Sequence, residues 1–364
     1  MKLLLFICRL LVGAVFMFSG FVKAVDPLGS CYKFTDYFNL AFNLPWLAPL
    51  SLPLAFILSS LEFTTGVMLF FNLKARVGAW FSLVFMIIFT PITLYLAIEN
   101  PVHDCGCFGD AIVLSNWETF AKNLVLLVFV LFVFIKRKQL DNPLSDNVET
   151  AIATTVFVIG LFFQLLMIRH LPILDFRPYK IGNNIAQLMS YPDDAPRPET
   201  ALIYENIQTG EKKTFGINDY EEYGDTTKWK FVKSELLSEG YIPPIHDFTM
   251  VGVSGIDSAN YYLEVERPVL MVIMHKIEKA NEDGLEMLKD LKEYADKKDW
   301  EIIALTSSNI DVIEETKRKY DAYFQFYQTD DITLKTIVRA NPGIVKLEKG
   351  VVMDKWNFRD FKFK

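Results

Sequence analysis

Cysteine is scarce in this chain: 364 residues contain four, at positions 8, 31, 105 and 107, and none follows Cys107. Everything beyond that point is excluded from thiol chemistry of its own. Excess positive charge is also missing. The formal net charge is -7, and nothing reads as a basic nucleic-acid footprint. No nucleotide- or flavin-binding motif is present, and no internal repeat of the kind that builds transporters is evident. Up to about residue 170, charge of either sign is sparse and Leu, Phe, Val and Ile dominate; after it Asp, Glu and Lys become frequent. A chain this long is expected to hold about two or three units, and the split puts a membrane part first and a soluble part second.

Within the apolar part, five stretches reach the roughly 17 to 25 residues that a helix needs to cross a hydrocarbon core of about 30 Å. They are Leu3 to Val22, Leu50 to Leu73, Val77 to Ile98, Trp117 to Ile135 and Ala151 to Ile168. Lys2 and Arg9 flank the start of the first, Lys74 and Arg76 lie between the second and third, and Lys136, Arg137 and Lys138 follow the fourth. The positive-inside rule puts those ends in the cytoplasm. The loops 23–49 and 99–116, and everything after His170, then lie outside it. The opening MKLLLFICRLLVGAVFMFSGFVKA has the basic start of a signal peptide, but its apolar run is too long and Arg9 interrupts it. It reads as an uncleaved span with Arg9 snorkelling to the interface. Lys23 and Asp26 read as an interfacial pair or cap, Glu118 and Lys122 as an i, i+4 pair, Cys8 as a buried small thiol, and Trp46, Trp80 and Trp117 as interfacial anchors.

Residues 151–170 form the fifth span, and 171–244 read as a linker carrying a hairpin in ALIYENIQTGEKKTFGI, turning at Thr209 and Gly210. From Ile245 the pattern alternates. RPVLMVIM is an apolar run of buried-strand length, then come a helical stretch, the strand EIIALTS, the helix IDVIEETKRKY, a short strand around AYFQFYQ, the helix ITLKTIVRA, and a hairpin in NPGIVKLEKGVVMDKW. That order predicts a mixed sheet covered by helices. With Pro342 opening the hairpin, it resembles the thioredoxin-like fold over residues 245–364. The resemblance implies a cis-proline at Pro342 facing a Cys-x-x-Cys pair. The chain departs from it, reading HKIEKA from His275 to Ala280 where the cysteines belong, so the domain is expected to dock a partner or cover the membrane part.

The membrane part carries SGFVKAVDPLG (Ser19 to Gly29), LEFTTGVMLF (Leu61 to Phe70) and CGCFGD (Cys105 to Asp110). Over residues 1–140 these strings resemble the DoxX and MauE family of four-helix membrane proteins. The resemblance implies a role in envelope protein maturation involving disulfides, and the fusion looks like a DoxX-family envelope protein of Bacteroidetes type. The expected architecture is thus an α-helical membrane bundle, four helices plus a fifth, followed by a periplasmic α/β thioredoxin-like domain, in a bacterial inner membrane with the N-terminus cytoplasmic.

Cys105 and Cys107 themselves admit three readings. As a redox pair, they would close a small strained ring that is easily attacked, with Gly106 allowing the turn. As a structural pair, they would hold the loop. As metal ligands, they would act with His103 and Asp110, although four ligands within eight residues demand a very tight loop. Cys31, in the other outer loop, is a candidate resolving thiol or a static bridge partner. Glu62 lies midway along the second span among Ser59, Ser60, Thr64 and Thr65. A carboxyl at that depth is a functional candidate by default, as a proton relay, or else bundle glue bonded to those hydroxyls. With no other cofactor motif, a membrane quinone is the candidate electron sink. The leading expectation is a membrane thiol-disulfide oxidoreductase embedded in lipid and acting on envelope or other periplasmic thiols. The alternative is a non-enzymatic scaffold or subunit of an envelope assembly whose soluble domain docks a partner protein.

Overall fold

A computed structural model describes the chain except residues 103, 193, 197, 198, 217, 218, 239 and 364. Six helices come first: α1 (Lys2–Val25), α2 (Pro27–Asp36), α3 (Ser51–Phe70), α4 (Ala75–Glu99), α5 (Asn116–Ile135) and α6 (Asp146–Arg169). All but α2 are long and apolar enough to cross a membrane, α3 being lengthened by a helical turn from Pro45. Outward-facing Ile87, Val128 and Phe162 are exposed around the bundle, where lipid would contact them.

The tightest pairing, α1 with α3, rests on missing side chains. A Cβ added at Gly66 would stand 2.3 Å from the backbone nitrogen of Met17, and one at Gly20 would stand 2.4 Å from that of Phe63. Glycine at these points lets two backbones approach where lipid offers no hydrophobic drive for association.

Two polar contacts lock the rest. Gln164 of α6 donates to Ser60 Oγ at 2.8 Å and accepts from Ser59 Oγ at 2.8 Å, both on α3. Arg9, expected to snorkel, is instead buried, donating to the carbonyl oxygens of Leu69 and Phe70. The end of α3 leaves carbonyls unpaired and carries a negative partial charge, so the guanidinium finds a partner inside the bundle without reaching water.

After the short helix α7 (Ile185–Met189), strands β1 (Glu199–Asn206), β2 (Lys212–Gly216) and, beyond the one-turn helix α8 (Tyr220–Tyr223), β3 (Trp229–Ser238) form an antiparallel sheet in the order β2-β1-β3. The β1–β2 hairpin turns through Thr209 and Gly210 as the sequence predicts. The third strand was not anticipated. The C-terminal α/β domain follows: α9 (Ala259–Glu264), β4 (Val269–Met274), α10 (Glu282–Glu286), α11 (Leu288–Lys297), β5 (Glu301–Thr306), α12 (Ile310–Lys319), β6 (Gln325–Gln328), α13 (Asp331–Ile337), β7 (Gly343–Glu348) and β8 (Val351–Asn357). Its mixed sheet runs β6-β5-β4-β7-β8, with β4, β5 and β6 parallel and β7 and β8 antiparallel. Every side chain of β4 is buried. Val269, Met271 and Ile273 face one core with Phe248, while Leu270, Val272 and Met274 face the other with Leu288, which explains why the strand reads as an unbroken apolar run. This order, with a cis Asn341–Pro342 peptide leading into β7, is compatible with the thioredoxin-like expectation.

Replacing Gly66 by valine is expected to force α1 and α3 apart and to destabilise the bundle by about 1 to 3 kcal/mol, read as a lower thermal midpoint in detergent, whereas Gly210→Val on the distant hairpin leaves that midpoint of the bundle unchanged.

Candidate functional site

The loop joining α4 to α5 carries the paired cysteines, and it is fixed from several sides. Asn100 leaves α4 in the left-handed conformation. Asn116 then reaches back to Val102 O at 2.7 Å and Asn100 Oδ1 at 2.8 Å. Lys33 of α2 meets Asp104 at 2.7 Å, and the other Asp104 oxygen accepts from the Gly106 backbone N–H at 2.9 Å. Gly106 itself has φ +63°, a turn that a side chain would strain. The result is that the two sulfurs lie 3.1 Å apart as free thiols.

Both ends of the pair are gripped through their backbones. The Tyr37 hydroxyl, from the π-helical turn after α2, donates to Cys105 O, and Ser19 of α1 donates to Cys107 O at 2.7 Å. Ser19 Oγ also accepts from Lys23 Nζ at 3.1 Å, and Lys23 forms an ion pair with Glu62 at 2.8 Å. Glu62 is therefore neither unpartnered nor bonded to the neighbouring hydroxyls; Ser59 and Ser60 are taken by Gln164. Of the pair-or-cap expectation for Lys23 and Asp26 the cap holds, Asp26 accepting from Gly29 N–H at 2.9 Å at the start of α2, while the pairing does not, because Lys23 turns into the bundle to Glu62 and Asp26 meets Arg339. Glu118 does not hold Lys122. Its carboxylate closes a capping box with Ser115 at the start of α5, and Lys122 Nζ sits 4.3 Å from the centre of the Phe108 ring.

These side chains enclose a cavity of about 80 Å³ within the bundle. Cys105, Gly106, Cys107 and Phe108 close its loop end, Lys23, Glu62 and Lys122 are its charged groups with Lys33, and Phe16, Phe85, Met86, Phe89 and Leu126 supply apolar walls. The thiols differ sharply. The hydrogen-bonding contact with the Cys105 sulfur, with help from Lys122 and Lys23 and against burial, holds the Cys107 thiol below the ordinary thiol range. The same hydrogen bond, together with burial, pushes Cys105 well above the ordinary thiol range.

Cys31 sits half-buried on α2, and no hydrogen bond or sulfur contact joins it to either paired thiol among the described residues. Burial pushes its thiol up. Of the four ligands in the metal alternative, His103 lies outside the described residues and Asp110 is drawn to Arg339 at 3.2 Å. Among the described residues, no three His, Cys, Asp or Glu side chains gather closely enough to hold a metal ion.

Residues 1–136 match the family model of the methylamine utilisation protein MauE. No curated protein matches the chain. The MauE match covers α1 to α5 and both loops that build the cysteine site; α6, the three-stranded sheet and the α/β domain lie beyond it.

The α/β domain nevertheless touches the MauE-matching loops. Arg339, just after α13 and 7% exposed, binds Asp26 at 2.8 Å and Asp110 at 3.2 Å. With Lys335 it also covers the Tyr32 ring. Behind it, Arg177 and Lys355 share Asp175, each at 2.7 Å. A second cavity of about 380 Å³ opens along this seam, with Gly106 and Asp110 on one side and Lys335 and Arg339 on the other. His275 is near Asp331 at 3.7 Å, and burial, then Lys335, pushes its imidazole down to about 4. It is thus neutral at physiological pH. Sequence reasoning missed Ser19, Tyr37 and Lys122 as members of the site, and Arg339 as its link to the soluble domain. The signal that was present is the pair of opposite charges, Lys23 and Glu62, in neighbouring spans.

Replacing Arg339 by methionine leaves the buried Asp26 carboxylate without its partner and is expected to weaken docking by about 3 kcal/mol, in the range for breaking a buried pair; faster proteolysis of the 171–178 segment would register it. Acidification tests the same clamp. Burial raises Asp110, so its arm protonates first. Burial also opposes ionisation of Asp26, but Arg339 and Arg177 outweigh it and hold that carboxyl below the usual range, so its contribution is complete at neutral pH and disappears only as pH falls through its lowered value.

Proposed function

We propose that this is an inner-membrane thiol-disulfide oxidoreductase whose redox pair is Cys105 and Cys107, acting in envelope protein maturation. The observation that carries the reading is the 3.1 Å approach of the two sulfurs at the mouth of an intramembrane cavity. Closing that gap to a disulfide of about 2.05 Å is a movement of about 1 Å, and the one-residue spacing makes the ring strained and oxidising. A thiol near neutrality is a competent nucleophile and leaving group at physiological pH.

The balance is two electrons per turnover. A client dithiol reduces the Cys105–Cys107 disulfide and leaves as a disulfide, and the pair is reoxidised by a membrane quinone, which takes two electrons and two protons to become a quinol. The sulfurs line an apolar cavity inside the bundle, which favours a lipid-soluble acceptor. At about 80 Å³ the cavity is smaller than the ~150 Å³ that admits benzene in an engineered core, so a quinone ring enters by moving flexible Met86 and neighbouring phenylalanines. Glu62, joined through Lys23 and Ser19 to the carbonyl of Cys107, stands where it can pass those protons. The basic turns with Lys74 and Arg76 and with Lys136 to Lys138 are at the opposite end of the bundle, so the positive-inside rule assigns the cysteine loop and the α/β domain to the periplasm. There the α/β domain, lacking cysteine, positions the protein client. Cys31 retains a resolving role only if α2 moves to bring it to the pair.

Purified protein in nanodiscs, given a reduced dithiol peptide and a short-chain quinone, is expected to oxidise the peptide with matching quinol formation, and Cys105→Ser or Cys107→Ser is expected to cut the rate at least roughly 100-fold. Unaltered cellular function in the double serine variant at normal protein levels would instead support the scaffold alternative.

A further inference from the structure

The two cysteines stand in different surroundings, and one nearby cation, set over the Phe108 ring, is without an anionic partner among the described residues. Lys23 spends its ammonium on Glu62. Lys122, which lines the same cavity, has no carboxylate partner among the described residues, because Glu118, one turn earlier on its helix, is occupied by Ser115. An ammonium lining an apolar cavity without a counter-ion is costly, and the group in that cavity able to carry the missing negative charge is a thiol. The groups facing Cys107 are Lys23 from α1, Tyr37 from the turn after α2, Glu62 from α3, Lys122 from α5 and Cys105 from its own loop. Cys107 is the more exposed residue of the two, whereas Cys105 is buried with its carbonyl gripped by Tyr37.

Resting on the redox reading above, we infer that Cys107 is the attacking sulfur and Cys105 the resolving one, and that Lys122 is the positioning residue that supplies the counter-charge of the Cys107 thiolate. The depressed Cys107 thiol agrees with this assignment. On a small disulfide as oxidant, the Cys107 thiolate attacks one sulfur. The new Cys107–S bond forms as the original S–S bond breaks and one thiolate leaves. Cys105 then gives up its proton and attacks Cys107, closing the Cys105–Cys107 bond and releasing the second thiolate. Two electrons pass to the small disulfide; the Cys105 proton goes to one departing thiolate, and the other leaves with the negative charge that Cys107 brought.

The test is alkylation of the full-length reduced protein in nanodiscs with iodoacetamide, a small neutral reagent, across pH 5 to 9, with each cysteine followed by peptide mass mapping. Cys107 is expected to label with a midpoint below that of an ordinary thiol and at least roughly tenfold faster than Cys105 at neutral pH. Lys122→Met is expected to raise that midpoint by about one unit or more, with Lys122→Arg restoring it and Lys122→Gln repeating the shift if the methionine variant does not fold. Equal labelling of the two sulfurs, or an unmoved profile in a folded Lys122→Met or Lys122→Gln protein, overturns the assignment. Alkylation needs no acceptor or client, so it can succeed where quinone-linked turnover fails, and the reverse.

Discussion

One guanidinium joins three distant stretches of this chain. Arg339 arrives from the turn between α13 and β7, Asp26 from the junction of α1 and α2, and Asp110 from the cysteine loop. Arg339 and Asp26 are the buried members, at 7% and 18% side-chain exposure, and either would be strongly unfavourable alone, whereas the Asp110 side chain is half-exposed. Together they fix the height of the soluble domain over the bundle and the position of the loop beneath it. Asp26 serves twice, because its carboxylate also accepts from Gly29 N–H at 2.9 Å and starts α2. The helix that carries Cys31 and Lys33 is thereby oriented by the same carboxylate that receives Arg339.

Beneath that seam the bundle resolves a second electrostatic problem. Glu62 within the second span would be unfavourable alone, and so would Lys23. Paired at 2.8 Å they cancel, and a second Lys23 N–H is directed to Ser19, which holds Cys107 from behind. The charge pair thus contributes less to net stability than to placement: it sets the rotation of α1, and with it the hydroxyl that orients the cysteine backbone. Buried ion pairs used this way specify geometry more than they add free energy.

The spans were legible because a hydrocarbon core imposes length and apolarity on every crossing helix, so five stretches announce themselves one at a time. The strands of the α/β domain were legible for a similar reason, β4 being buried on both faces. What the pattern concealed was direction. The Ser115–Glu118 capping box that leaves Lys122 to the cavity is a local signature, but nothing local says that Arg9 turns inward to cap α3 or that Lys23 chooses Glu62 over Asp26. Each choice is decided by a partner far along the chain, 39 residues away for Lys23 and Glu62 and 313 for Arg339 and Asp26. The strand β3 escaped for another reason: KWKFVKSELLS intersperses lysine and glutamate among its apolar residues, and its pairing with β1 is what gives it a fold.

The amide of Gln164 has a consequence for how the soluble domain is delivered. Because it bonds to both Ser59 and Ser60, α6 cannot rotate about its own axis without breaking polar contacts that lipid will not replace. The chain therefore emerges at His170 on a set bearing around the bundle, where Asn357 and Asp360 receive it at 3.0 and 2.7 Å. The last membrane helix acts as a keyed axle, and the search for the docked pose is reduced from a sweep around the whole bundle to a short arc that ends over the cysteines.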